Sequence, residues 1–356
     1  AYLSFQSDHS DIQVLFYNLV SSLPEDSVYT VDDGSYGIDI SPGLYSITWR
    51  KEGYVPVEIT GYPISDNMVL EDVTLFSGSV QEIAGEVSGN WPVGSVVVVT
   101  GDIVIPEGET LTIDEGVIVR FDVGTGMTCN GSLIINGTDE AHVLFTSNNL
   151  IPTSGDWTGI ELYGENNVLS YVDYEWAGNG FIGDSVSGSI FDNVMITSTL
   201  SLSANGFYFT ESNDLIFTNN IIEVGNVTSY SGGYGIYSEN SSESIINNNI
   251  ISGNYSSAAI RMENCDNCLF DGNIISNRPY RGIWAQYSDN TSILNNLLEV
   301  SQTGIEVPDG SSLIIDNNIV TEFEEYGIYF RNSENSNIIY NRLISSQLGG
   351  WKLGID

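Results

Sequence analysis

GIYSENSSESIINNNII (235–251), AIRMENCDNCLFDGNII (259–275), GIWAQYSDNTSILNNLL (282–298), GIEVPDGSSLIIDNNIV (304–320) and GIYFRNSENSNIIYNRLI (327–344) align almost without gaps. Their first residues are separated by 24, 23, 22 and 23 positions, and an earlier copy begins at Gly206, 29 positions before Gly235, with the excess in 225–233. Self-similarity at a fixed period in the twenties is the mark of a solenoid, in which each repeat buries its apolar face only against its neighbours. Each copy holds β-prone runs of two to five residues. Stacked copies place equivalent residues about 4.8 Å apart, the spacing of strands in a sheet. The sequence therefore predicts an all-β fold, a right-handed parallel β-helix of about 22–29 residues per coil.

Alternation along the Gly-Ile strand fixes which side chains point in and which point out. With Phe207, Ile236, Ile260, Ile283, Ile305 and Ile328 inside, their successors form an outward ladder: Tyr208, Tyr237, Arg261, Trp284, Glu306 and Tyr329. A parallel row follows two residues later: Thr210, Glu239, Glu263, Gln286, Pro308 and Arg331. Exposed aromatics on a flat sheet suit sugar rings, and aromatics with carboxylates at strand spacing could bind an extended glycan or a strand of another protein. Equally, aromatic residues have high β-propensity, and cross-strand pairs stabilise a sheet by roughly 0.2–1 kcal/mol each. Glu239 and Glu263 stack on adjacent coils beside Arg261. Two carboxylates about 5 Å apart suit retaining glycoside hydrolysis, and the same pair could hold Ca²⁺. The plainer alternative is that Arg261 neutralises two surface acids. The recurrent asparagines, Asn219-Asn220, Asn248-Asn249, Asn273, Asn295-Asn296 and Asn317-Asn318, are read as structural. They occupy one bend, where Asn tolerates left-handed backbone and stacked amides bond one another.

Upstream of the regular copies, between Gly78 and Asn149, strands at 96–100, 103–105, 111–113, 117–121, 133–135 and 143–146 are separated by Gly turns. The segment TGDIVIPEGETLTIDEGVIVRF (100–121) resembles the opening coils of many secreted bacterial and archaeal β-helix proteins. The first 75 or so residues alternate apolar and polar residues in short runs, such as Ile12-Val14-Phe16 and Tyr45-Ile47-Trp49, with turns at Asp32-Asp33-Gly34 and Ser41-Pro42-Gly43. The stretch VDDGSYGIDISPGLYSITWRKEGYVPVEI (31–59) resembles the carboxypeptidase regulatory-like domain, which implies a small prealbumin-like β-sandwich serving as a spacer or adhesive module. The expected division is 1–77 for the sandwich and 78–356 for the β-helix, with opening coils at 78–155 and regular coils at 156–356.

The 47 Asp and Glu against 9 Lys and Arg give a formal charge of −38, which repels nucleic acid and anionic membranes. Such a surface tolerates high ionic strength and attracts divalent cations, so Ca²⁺ is the one cofactor that the composition suggests. No apolar run approaches the roughly 20 residues that span a bilayer, and the first ten residues lack the features of a signal peptide. Gly354-Ile355-Asp356 reads as the start of another repeat. The CxxC at Cys265 and Cys268 could suggest zinc or redox work, but in register these positions equate with Ser241, Ser288 and Ser333, and with Ser244 and Thr291. They are slots for small side chains; a local disulfide is the rival reading. His9 and His142 lie in different modules, which removes most metal centres and any Ser-His-Asp arrangement.

The repeat region resembles the β-helix of pectate lyases and polygalacturonases, and an enzyme acting on polysaccharide is what that resemblance implies. The residues depart from it. The polygalacturonase signatures Asn-Thr-Asp, Asp-Asp, Gly-His-Gly and Arg-Ile-Lys are missing from the repeats, and no His follows His142. Uronate lyases need an Arg or Lys base and a cationic path, yet the repeats hold only Arg261, Arg278, Arg281, Arg331, Arg342 and Lys352. The sequence favours a non-enzymatic extracellular or cell-surface module: a rigid rod with a display face, its partners glycans, copies of itself or other surface proteins. A glycoside hydrolase or lyase using Glu239, Glu263 and Arg261 is the alternative.

Overall fold

In the computed structural model the described residues are 10–20, 23–51, 54, 57–65, 68–70, 73, 75, 80–149, 152–199, 205–224, 233–253, 255 and 257–346. His9, Lys352 and Gly354-Ile355-Asp356 fall outside them. All regular structure among these residues is β. The main body is a right-handed parallel solenoid of about 10 turns. Each turn contributes a strand to three faces. Face A runs from Met127–Cys129 through Ile236–Glu239, Ile260–Glu263 and Arg281–Gln286 to Tyr326–Arg331. Face B passes through Ile245–Asn247, Leu269–Asp271 and Ile314–Asp316. Face C passes through Ile250–Ser252, Ile274–Ser276, Leu297–Glu299 and Ile319–Phe323. The strands expected at 96–100 and 103–105 are one continuous strand, Val96–Ile105, whose halves pair with different neighbours as it passes from face C to face A.

The shared interior explains the repeat. Ile236, Ile246 and Ile251 of one coil, like Ile283, Ile293 and Leu298 of a later one, are fully or almost fully buried, one inward side chain per face. The Gly that opens most copies is set by crowding: a Cβ on Gly304 would stand 2.4 Å from the carbonyl oxygen of Gly327 in the next coil and 2.3 Å from Val320 Cγ1 in its own. Towards the opening coils the interior turns aromatic. Phe121 stacks on Trp157 at 4.1 Å, Trp157 meets Tyr174 at 4.8 Å, and Tyr174 meets Phe181 at 4.7 Å.

Between faces B and C the paired asparagines divide their labour. The first of each pair, Asn219, Asn248, Asn295 and Asn317, takes left-handed backbone at φ 55–56°, with Gly272 and Tyr340 in the equivalent places. This is where Asn escapes the Cβ penalty best among non-glycine residues. The second of each pair points inward and is buried: Asn220, Asn249, Asn273, Asn296 and Asn318. Each donates one Nδ2 proton to the Oδ1 of the next and the other to a main-chain carbonyl, as Asn273 does to Asn296 at 2.9 Å and to Ile246 at 2.8 Å. Each Oδ1 also accepts a main-chain N–H from the preceding coil, that of Val194 for Asn220 and that of the preceding Asn for the others. Every polar atom of the inner amides is thus satisfied without water.

One carboxylate is fully engaged in a structural role. Asp156 is buried and accepts hydrogen bonds from Ser147 Oγ at 2.6 Å, Thr153 Oγ1 at 2.6 Å, Asn149 Nδ2 at 2.9 Å and the main-chain N–H of Thr153 at 3.1 Å. Burial pushes its pKa up, but these donors outweigh burial and hold it below the ordinary carboxylate value. Its contribution to stability is present above about pH 4, the unfolded value, and is lost as the pH falls through the lower folded value. Asp156→Asn is expected to cost about 2 kcal/mol at pH 7, and the difference from wild type to shrink below pH 4, in urea titrations at a series of pH values.

A separate four-stranded antiparallel sheet is formed by Leu23–Tyr29, Gln13–Asn18, Gly43–Arg50 and Val57–Ile64, in that order. Ile12, Val14, Phe16, Tyr45, Ile47 and Trp49 form its own core, joined by Val73 and Leu75. The expected turn at Asp32-Asp33-Gly34 is present, with Gly34 N–H bonded to Val31 O at 2.8 Å. A second sheet, which would complete a sandwich, is not found among the described residues.

Candidate functional site

The outer surface of face A carries the outward ladder in the expected register. Tyr208 pairs with Tyr237, Tyr237 with Arg261, Arg261 with Trp284, Trp284 with Glu306 and Glu306 with Tyr329. Glu239 lies opposite Glu263. The alternation thus assembled all the named residues on one surface.

Their exposure is a correction to the sequence reading. Tyr237 is only 6% exposed, and Tyr208, Trp284 and Tyr329 are half-buried rather than open. Strand spacing brings each ring over the next. Tyr208 stacks on Tyr237 with centroids 4.5 Å apart and planes 9° from parallel. The Arg261 guanidinium lies 5.5 Å from the Tyr237 ring and 4.2 Å from the Trp284 ring, and Arg281 lies 4.6 Å from Trp284. The result is an alternating pile, Tyr208, Tyr237, Arg261, Trp284 and Arg281, in which one residue occupies the face that the next would offer to a sugar. Cation–π contacts of this kind contribute roughly 0.5–2 kcal/mol each. The Nε–H of Arg261 and the indole Nε1–H of Trp284 are buried in the pile without a hydrogen-bond acceptor.

Four members escaped the sequence reading: Tyr234, Tyr280, Arg281 and Tyr326. Tyr234 lies 5.0 Å from Tyr237 and accepts a hydrogen bond from Arg261 Nη1 at 2.9 Å; Tyr280 lies 4.8 Å from Arg281, which also pairs with Glu306. Tyr326 contacts Tyr329 at 4.8 Å. The signal was the position immediately before the opening Gly, which is Tyr234, Arg281 and Tyr326 in three copies.

The carboxylates are held by their own strands. Glu239 accepts the Tyr237 hydroxyl at 2.9 Å, and Glu263 pairs with Arg261 Nη2 at 2.7 Å. Burial, with the Glu239 contact second, pushes the Tyr237 phenol up, so the hydroxyl stays protonated and donating. Burial works against the charge of Arg261, and the contacts with Tyr234 and Glu263 overcome it. Among the described residues no group of three or more His, Cys, Asp or Glu is arranged to hold a metal ion.

Two shallow clefts lie where the opening coils meet the regular ones. One of about 410 Å³ extends face A and is lined by Asp102, Thr128, Glu161 and Asn179 with Gly126, Gly159 and Gly180. The other, about 470 Å³, lies beside Glu107, Glu109, Tyr163 and Glu165. His142 is in neither lining and bonds Asp173 at 2.9 Å. Cys265 and Cys268 are free and buried, in the Ser slots that the register predicted. Each thiol donates to main-chain carbonyls, Cys265 to Glu263 O at 3.2 Å and Cys268 to Asp266 O at 3.6 Å, and the neighbouring Cys265 together with burial pushes the Cys268 pKa up. Cys129 is pushed up to about 12 by burial. The Cys268 contact instead lowers the pKa of Cys265, but all three thiols are buried, which suits small core residues rather than nucleophiles.

Residues 223–353 match the family model described as a right handed beta helix region, and residues 90–173 match that described as a pectate-lyase like beta helix domain. No curated protein matches the chain. Among solved structures, the periplasmic alginate epimerase AlgG is similar at 14% identity over 71% of this chain and 78% of that one, with a TM-score of 0.43. The surface protein and adhesin PfbA of Streptococcus pneumoniae is similar at 12% identity over 75% and 91%, at 0.39, and tailspike protein 3 of bacteriophage CBA120 at 10% over 75% and 52%, at 0.40. At these scores the likeness says nothing about activity. No helix of the described residues is long and apolar enough to cross a membrane.

Proposed function

We propose that this chain is a non-enzymatic extracellular or cell-surface module, a rigid β-helix rod whose face A is a braced display surface for a glycan or a protein neighbour. The interleaved pile of Tyr208, Tyr237, Arg261, Trp284 and Arg281 carries this reading. Catalysis at a carbohydrate needs a carboxyl group free to exchange a proton or attack. Here Glu239 and Glu263 are tied by Tyr237 and Arg261 within their own strands. A partner would meet ring edges, phenol hydroxyls and the outer carboxylate oxygens, which suits adhesion better than turnover. The charge of −38 supports an exterior of high ionic strength.

Neutral and acidic polysaccharides incubated with the protein are expected to yield no new reducing ends and no unsaturated products. Turnover that disappears in Glu263→Gln while glycan binding persists would establish the hydrolase reading instead. Trp284→Ala is expected to lower stability by about 2 kcal/mol, because it removes the ring between two guanidinium groups. Loss of glycan-array binding in that variant at unchanged stability would make the ring a ligand platform rather than a brace.

A further inference from the structure

The outward residues of face C are unlike those of a sheet that merely faces water. An outward position on a solvated strand is normally polar. On face C the first outward position is Ile250 (42% exposed), Ile274 (41%), Leu297 (42%) and Ile319 (37%) in four consecutive coils. The register joins them directly to one another, with Ile221 above and Arg342 below. Single exposed aliphatics mean little, but a contiguous row does not arise from scatter. From Ile250 to Ile319 the row extends about 14 Å at the sheet spacing.

Three carboxylates flank it, two on one side and one on the other, among neutral neighbours such as Leu294, Ser252 and Ser276. Asp271 and Asp316 stand before the Asn corner, at the ends of the strands Leu269–Asp271 and Ile314–Asp316, and Glu299 closes the strand on the far side, Leu297–Glu299. We infer that the row Ile250, Ile274, Leu297 and Ile319 is a docking surface for a partner protein whose contact is aliphatic at its centre and bordered by lysine or arginine. A second copy of this chain fits worse. It would set acid margins against acid margins, each chain carrying a charge of −38. Contact confined to the row, roughly 14 by 10 Å, would fall far short of the roughly 800 Å² per partner typical of a stable pair. A partner with basic margins turns the flanking strips from repulsion into contact and widens the interface. This surface is separate from face A and does not depend on what face A binds.

The test uses the full chain and two fluorescent, disulfide-closed β-hairpin peptides with the same Ile and Leu centre, one with Lys margins and one with Glu margins. Fluorescence anisotropy is read for wild type and for Ile274→Ser/Leu297→Ser/Ile319→Ser, whose changes lie at exposed positions, with thermal unfolding as the check on folding. The expected result is saturable binding of the Lys hairpin alone, weakened at least tenfold in the triple variant and weakened by raising NaCl from 50 to 500 mM. Equal binding of the Lys hairpin by both proteins would reduce the effect to general charge attraction and overturn the proposal, as would no binding at all. Self-association in sedimentation that strengthens with salt and vanishes in the triple variant would assign the row to a second copy, and would overturn it too.

Discussion

Asn273→Ala is expected to lower the stability of the β-helix by about 4–5 kcal/mol, a large effect for one amide. The side chain makes four hydrogen bonds in a buried place. It donates to Ile246 O and Asn296 Oδ1, and it accepts from the main-chain N–H and the Nδ2 of Asn249. Alanine leaves those two Asn249 donors buried without partners, and each costs roughly 1–3 kcal/mol. The neighbouring change Asn248→Ala is expected to cost only about 1 kcal/mol, because it asks alanine to adopt φ 55° without breaking the inner ladder. Urea unfolding followed by circular dichroism measures both. Equal effects would mean that the inner amides are not the stronger fastening.

Phe191→Ala is expected to cost about 4 kcal/mol in the same measurement. Phe191 is fully buried, with ring centroids of Phe207 at 5.0 Å, Phe209 at 5.2 Å, Phe217 at 5.3 Å and Phe181 at 5.9 Å. Its removal opens a cavity among rings that belong to two adjacent coils, whose main chains cannot close in because their spacing is fixed by strand pairing. Ile293→Ala, in the aliphatic part of the same interior, removes fewer atoms and is expected to cost about 3 kcal/mol. A Phe191→Ala loss under about 1.5 kcal/mol would mean that the aromatic coils repack.

Periodicity made the solenoid legible because a coil is a local object whose inward residues recur at a fixed offset. From the same alternation came the register of face A, from Tyr208 to Tyr329, and the placement of Cys265 and Cys268 in slots for small residues. It could not show that the rings close upon one another. Tyr237 reads as an exposed sugar platform when its strand is taken alone, and becomes buried only once Arg261 of the next coil lies across it. It also left unnoticed the row from Ile250 to Ile319, since an isoleucine beside an isoleucine reads as core on both counts until the strand direction decides which one faces out.

Likewise, the Asn pairs announced a bend, while the division into a left-handed outer residue and a buried inner amide emerged only with the stacking. What the sequence by itself determined is therefore the repeat: coil length, strand positions and the inward face, all set by chemistry within some 23 residues. The tertiary structure decided what each outward side chain meets. That depends on atoms one coil away, about 4.8 Å along the axis but more than 20 residues along the chain.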